Sequence, residues 1–178
     1  MDRDTDTTLL AALPPDKQGE FLLLQLRNLW TVDGLYFLGI EERYGTQAAT
    51  EIDAKVWSIM GKIEARKLKE FLHITTIDLP TAMRLLQHTS WALDLEDKEI
   101  EVHKDRAIIR NRRCRVQTTR RTKGLAEFGC KPVRLGFLQA FFHELDPRIQ
   151  VTCLRCPPDT HPPDLWCEWE LTLKEKKP

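Results

Sequence analysis

No apolar run in this sequence approaches the ~20 residues needed to span a bilayer, and no charged leader followed by an apolar stretch opens it. The expectation is a soluble, cytoplasmic protein without a membrane partner. A Gly-rich phosphate loop, a His-Glu-x-x-His pair and a Ser/His/Asp ordering are all missing, so the common signatures of nucleotide binding, zinc proteolysis and triad hydrolysis do not apply. Net charge is missing too. Lys plus Arg and Asp plus Glu both total 27, which argues neither for a nucleic-acid partner nor for an acidic tail.

What is present suffices for one sizeable core: 178 residues, 42% of them hydrophobic. The expected organisation is a flexible lead over 1–15 and a single α+β domain over 16–178, with a helical half (16–95) and a half of sheet, helix and metal site (96–178). The neutral total hides an asymmetry. Lys104 to Arg134 holds eleven basic residues against Asp105 and Glu127, a net of +9, while Met1 to His103 carries about −7 by the same count. The basic run lacks the interleaved aromatics of a nucleic-acid site, so it reads as a solvated or paired face and nucleic acid is an unlikely partner.

The lead, "MDRDTDTTLLAALPP", is polar and then broken by proline. From Asp16 the chain is apolar on most sides up to Gly45, which predicts a deeply buried helix, kinked at Asp33-Gly34, with Gly45 as its left-handed stop. Thr46 is the expected N-cap of a second helix, where Ala49, Ile52, Val56, Ile59, Met60 and Ile63 recur at helical spacing to about Leu72. Asp78 caps a third, with Pro80 in its first turn and Met83, Leu86 and Leu93 as the apolar stripe. The period then changes to two: "EIEVH", a turn at "KD", and "RAIIRNRRCRVQTT" read as strands. "CKPVRLGFLQAFFHELDP" reads as a helix. Ile149, Val151 and Cys153, then Leu165, Cys167, Trp169 and Leu171, form inward rows of two last strands, with Trp166 pointing outward to solvent or an interface. Helices segregated from an antiparallel sheet define an α+β fold, N-terminal helices and a further helix packed on the sheet.

Five cysteines, two of them in "CLRC", are the most specific chemical feature. Cys130 precedes a helix start, Cys153 and Cys156 straddle a strand end, and Cys167 opens the last strand. If these elements pack in order, four sulfurs converge at one end of the sheet, a soft donor set for tetrahedral Zn2+ at roughly 2.3 Å. An iron–sulfur cluster, a redox-active pair and reduced core thiols remain open beside zinc. Cys114 lies between two arginines inside a strand and reads as a buried structural thiol. His143 and His161 are reserve ligands.

Asp33 and Glu41, with Phe37 between them, lie along one helix face. Buried carboxylates must be paired or neutralised, and Arg113, Arg115 or Arg120 is the expected partner. The alternative is a pocket between helix and sheet in which these acids and Arg113 and Arg120 orient a small organic ligand between Trp30, Tyr36, Phe37 and Trp91.

From "EIEVH" to "CEWEL" the chain resembles the vinyl reductase (four-vinyl) domain, a small-molecule sensor module also found in aromatic-responsive bacterial transcription activators. The resemblance rests on a cysteine before "GFLQAFF", a step of two cysteines at a strand end, and the final cysteine of "CEWEL". It implies that Cys130, Cys153, Cys156 and Cys167 hold a structural zinc, with Cys153 where the sensors usually have a carboxylate, and that the chain pairs as a homodimer. Over nearly the whole chain, "LWTVDGLYFLGIEERYG", "CRVQTTRRTKGL", "CKPV", "DPRIQVTC" and "CPPD" are similar to uncharacterised prokaryotic cytosolic proteins distantly similar to amino-thiazoline carboxylate hydrolases. The expected function is a zinc-containing small-molecule-binding domain, sensory or accessory. The alternative is a hydrolase acting on a small cyclic amidine or amide. It requires a sulfur absent from the metal, leaving a site for activated water, or a nucleophilic thiolate.

Overall fold

The computed structural model describes residues 3–174, with side chains from residue 6 onward. The ends of the expected lead and domain, 1–2 and 175–178, lie outside the described residues. The elements are α1 (Arg3–Ala11), α2 (Pro15–Phe71), α3 (Leu79–Gln87), α4 (Ser90–Asp94), β1 (Asp97–Val102), β2 (Arg106–Arg113), α5 (Arg115–Thr122), α6 (Lys131–Leu145), β3 (Ile149–Arg155) and β4 (Cys167–Leu173). The strands form one antiparallel sheet in the order β1-β2-β4-β3. The fold is α+β.

α2 is helical on both sides of Gly45, whose φ of 86° and ψ of 163° leave the helix. Trp30 and Trp57 stack across this break, which a straight helix would hold about 40 Å apart. The two arms, 15–44 and 46–71, therefore fold back on each other, and Gly45 supplies the left-handed backbone that the turn requires. Thr46 does not cap: its hydroxyl donates to Glu41 Oε1 across the turn (2.8 Å). The first arm departs from expectation in two ways. Its only non-helical backbone is at Gly45, not Asp33-Gly34, and Trp30 is its only buried residue. An arm packed on one side leaves its other apolar residues, Leu22, Leu29, Val32 and Tyr36 among them, exposed. Within the expected flexible lead, α1 is a helix, with every described side chain exposed.

α6 lies between α2 and β3 and buries Val133, Phe137, Leu138, Ala140, Phe141, Phe142 and Leu145. At Gly61 the second arm comes so close that an added Cβ would sit 2.5 Å from the Phe137 carbonyl oxygen. Asp78 caps α3 as expected, accepting from Thr81 N (2.8 Å). Met83 and Leu86 are buried, whereas Leu93 falls on the exposed side of α4.

The sheet has two unlike faces. Ala107, Ile109, Trp169 and Leu171 line the inner face and are buried. On the outer face Arg110 reaches Glu168 (2.7 Å) and Glu101, Arg112 holds Glu99 (2.6 Å), and Arg106 holds Glu170 (2.6 Å). Arg110 and Glu168 are directly opposite and the other pairs diagonal, so opposite charges across strands support the register and pair three arginines of the basic run. That run is not one strand to its end. β2 stops at Arg113, and "RVQTTRRT" is α5, because the buried side chains of Gln117 and Arg120 bond the Phe128 and Ala126 carbonyls and override a β-prone composition.

Candidate functional site

A cavity of about 330 Å³ opens where α2, α4, α5, α6 and the ends of β2 and β4 meet. Trp30, Trp57 and Trp91 wall it, with Phe37, Phe128 and Val133. Trp30 and Trp57 lie 4.6 Å apart at 5°, and Trp30 Nε1 donates to Ser90 O (3.2 Å), fixing the α2 arms to the start of α4. Such a volume with mostly apolar walls and few polar groups suits a small organic molecule.

The sequence placed Trp30, Asp33, Phe37, Trp91, Arg113 and Arg120 in a pocket, and all six line this one. Tyr36 does not. It points to solvent, 73% exposed. Glu41 does not line it either. It is held by Arg120 Nη1 and Nη2 (2.8 and 2.9 Å), while Arg120 Nε donates to Ala126 O (2.7 Å). Arg120 thus ties the first arm to α5 and the following loop, and holds the Glu41 carboxyl below its usual range.

Asp33 and Asp53 come from opposite arms of α2. Burial raises both carboxyls. For Asp53 the neighbouring Asp33 adds to it, and the pKa reaches about 7 despite Arg134 and the Trp57 indole pulling the other way. Arg134, one turn into α6, lies 4.3 Å over the Trp91 ring and within 6 Å of Phe137 and Trp57. Its Nη1 is buried without a hydrogen-bond partner, as are Asn111 Oδ1 and Asp94 Oδ1. Desolvation pulls the Arg134 pKa down. The sequence reading missed Asp53, Trp57, Asn111 and Arg134. Only the fold-back at Gly45 brings the first two to the cavity, although "CKPVR" does place Arg134 one turn after Cys130.

The floor is sulfur. Cys130, Cys156 and Cys167 line the cavity together with Cys114. Cys130 Sγ stands 3.6 Å from Cys156 Sγ and takes a long contact from Gln117 Nε2 (3.8 Å). Gln117 also clamps Phe128, donating to its carbonyl (2.7 Å) and accepting from its N–H (2.9 Å). The thiol of Cys130 is lowered by its bond with Cys156, and that of Cys156 is raised by its bonds with Cys130 and Cys167. Cys153 sits on the inner side of β3 opposite Trp169, half-buried, with its thiol raised by desolvation. Cys114 stands between the end of β2 and the start of α5 instead of lying inside a strand, and burial pushes its thiol up to about 12. Among the described residues, no group of three or more His, Cys, Asp or Glu side chains stands in a metal-holding arrangement.

His143 is exposed in the last turn of α6, about 20 Å along the helix from Cys130. His161 donates to Pro162 O (2.9 Å), and its ring packs tilted at 41° against Trp166 (4.8 Å). Trp166 is accordingly buried, not outward: it fills the space between His161 and the Arg121 guanidinium.

Fold and cavity together describe an α+β protein with a partly open, mostly apolar cavity between its helices and the end of its sheet. The family of unknown function DUF6125 matches residues 12–173, and the chain belongs to it. No curated protein matches the chain. Among solved structures, it is similar to the crystal structure of a trafficking protein particle complex subunit 3 from Naegleria fowleri covalently bound to palmitic acid. The two share 13% identity with a TM-score of 0.55, over 85% of this chain and 96% of that one. At that identity the likeness shows a shared fold. Among the described residues no helix is long and apolar enough to cross a membrane.

Proposed function

We propose that this chain is a cytosolic small-molecule-binding module, sensory or accessory, whose organic ligand occupies the cavity between the α2 arms, α5 and α6. The observation that carries the reading is the cavity of about 330 Å³ walled by three tryptophans from two elements. The trafficking subunit of similar fold is described as covalently bound to palmitic acid, so a fold of this kind accommodates an organic ligand in one other protein. The sequence resemblance to a small-molecule sensor module leads the same way.

The proposal includes a structural zinc held by Cys130, Cys153, Cys156 and Cys167. Its support is the soft donor set and the 3.6 Å between two sulfurs, close to the ~3.8 Å edge of a tetrahedron with 2.3 Å zinc–sulfur bonds. Bound there, zinc would tie β3, β4 and the start of α6 together and leave no position for a reacting water. The homodimer is carried with the proposal on the exposed apolar side of the first α2 arm, and sedimentation of the full chain tests it.

A hydrolase acting on a small cyclic amidine or amide is the second reading. One observation favours it: Asp53, with a pKa of about 7 beside Asp33, is poised to exchange a proton at neutral pH.

Calorimetric titration of the full chain with phenylacetamide and phenylacetate tests the leading reading. One saturable site per chain for either probe, lost in Val133→Phe, which plugs the cavity, supports it. No binding of either probe would overturn it.

A further inference from the structure

The polar groups left loose on the cavity wall say more than its volume does. Arg134 is packed on by protein, lines the cavity, and forms no ion pair among the described residues. Every other arginine on that wall is engaged: Arg115 with Asp94 (3.0 Å), Arg120 with Glu41 (2.8 Å), Arg113 with Asp97 (3.7 Å). Asp33 and Asp53 act on the Arg134 guanidinium only through space, with no ion-pair contact, and leaving its Nη1 unbonded carries the cost of an unmet buried donor. Three aromatic rings fix its plane: Trp91 at 4.3 Å, Phe137 at 5.3 Å and Trp57 at 5.9 Å. Held flat and already desolvated, it pays little on binding and offers the forked donor geometry that matches a carboxylate.

We infer that the ligand is a small organic carboxylate, with its acid group on Arg134 and its apolar body against the Trp30–Trp57 stack. This rests on the ligand-binding reading above and names the chemistry of that ligand. Asn111 Oδ1 and Asp94 Oδ1, buried acceptors without partners on the same wall, add a preference for an N–H or O–H elsewhere on the acid. Asp33 and Asp53 limit the site to one negative charge. They already face Arg134, so a dianion meets greater repulsion than a monoacid does.

The test compares acids with their isosteric neutral amides on the full chain: phenylacetate with phenylacetamide, and hexanoate with hexanamide. Each acid is expected to bind at least ten-fold more tightly than its amide. Arg134→Gln should remove that preference while amide binding persists, and Arg134→Lys should keep part of it. Equal affinity for acid and amide in the unmodified protein overturns the inference and leaves the pocket standing. That comparison needs no variant, so a misfolded Arg134→Gln does not blur it. An acid preference that survives a folded Arg134→Gln also overturns it. If neither acids nor amides bind, the ligand-binding reading itself falls and takes this inference with it.

Discussion

Trp30 and Trp57 stack with ring centroids 4.6 Å apart and planes within 5°, although they belong to one run of helix. That contact is possible only because Gly45 reverses the chain between them, and it is what closes the cavity on the α2 side. The same reversal sets Asp33 against Asp53. The pocket is thus a product of one backbone angle, a φ of 86° that a residue with a Cβ rarely adopts.

Gly45→Ala should therefore destabilise the protein by about 1–2 kcal/mol, the usual cost of a left-handed non-glycine residue. Gly39→Ala, in the helical first arm, should do the reverse. An added Cβ there meets nothing within 4 Å, so the better helix former gains roughly 0.5–1 kcal/mol. Urea unfolding of the two variants reads opposite shifts in midpoint. The same sign for both would mean that the arms are not folded about Gly45.

Gly61 is the opposite kind of glycine. Its backbone angles are ordinary, but a Cβ would meet the Phe137 carbonyl oxygen at 2.5 Å and Phe141 N at 3.2 Å. Neither is a side-chain tip that swings away. Gly61→Ala must push the second arm off α6, and a loss of about 2–4 kcal/mol is expected from overpacking and lost burial. Thermal unfolding measures it, and an unchanged midpoint would contradict the close approach of these helices.

Asp53 gives the protein a pH dependence of definite sign. Burial and Asp33 raise its carboxyl to about 7, against an ordinary value near 4. A carboxyl with a higher pKa folded than unfolded binds its proton more tightly in the native state. Its contribution is most favourable in acid and is lost as pH rises from about 4 to 7. Asp53→Asn removes the penalty, and about 1–2 kcal/mol of stabilisation at pH 8 is expected, less than the full shift because part of the group is solvated. At pH 4 the variant and the parent should be equal. Denaturant midpoints at the two pH values check this. The groups facing Asp53 are Asp33 and Trp57 from α2 and Arg134 from α6.

Much of this architecture is legible in the sequence because it rests on local chemistry. Asp78 with Pro80, Pro132 after Cys130 and the alternation of "CEWEL" each dictate a cap, a helix start or an inward row, and each is found. Half of the charge asymmetry reads through as well: Arg120 was among three expected partners for the acids of the first arm, and it holds Glu41. What hid was set by distance in the chain. Tyr36 looked like a pocket wall because helical spacing cannot say which apolar face of the arm meets the body. Asp53, Trp57 and Arg134 looked like ordinary members of amphipathic helices until the turn at Gly45 set them around one space. α5 hid because its helix rests on Gln117 and Arg120 reaching the carbonyls of Phe128 and Ala126, a tertiary cause with no local periodicity.

The thiol cluster yields the last prediction, since zinc and plain core cysteines differ sharply in what removal does. If zinc is bound by Cys130, Cys153, Cys156 and Cys167, metal analysis of the purified chain gives one zinc per chain. A chelator or Cys156→Ala should then cost about 3–5 kcal/mol, a fall of roughly 10 °C in melting temperature, because β3, β4 and the start of α6 lose their tie. Cys114→Ser separates this outcome from general damage to a buried thiol, because Cys114 is outside the ligand set and should leave the zinc content at one. Were the four cysteines reduced core residues, the purified protein would carry no zinc. Chelation would not move the melting temperature, and Cys156→Ala would cost only the ~1–2 kcal/mol of a small buried side chain. Zinc that exchanges freely while the fold survives would argue against the structural clasp and favour the hydrolytic reading.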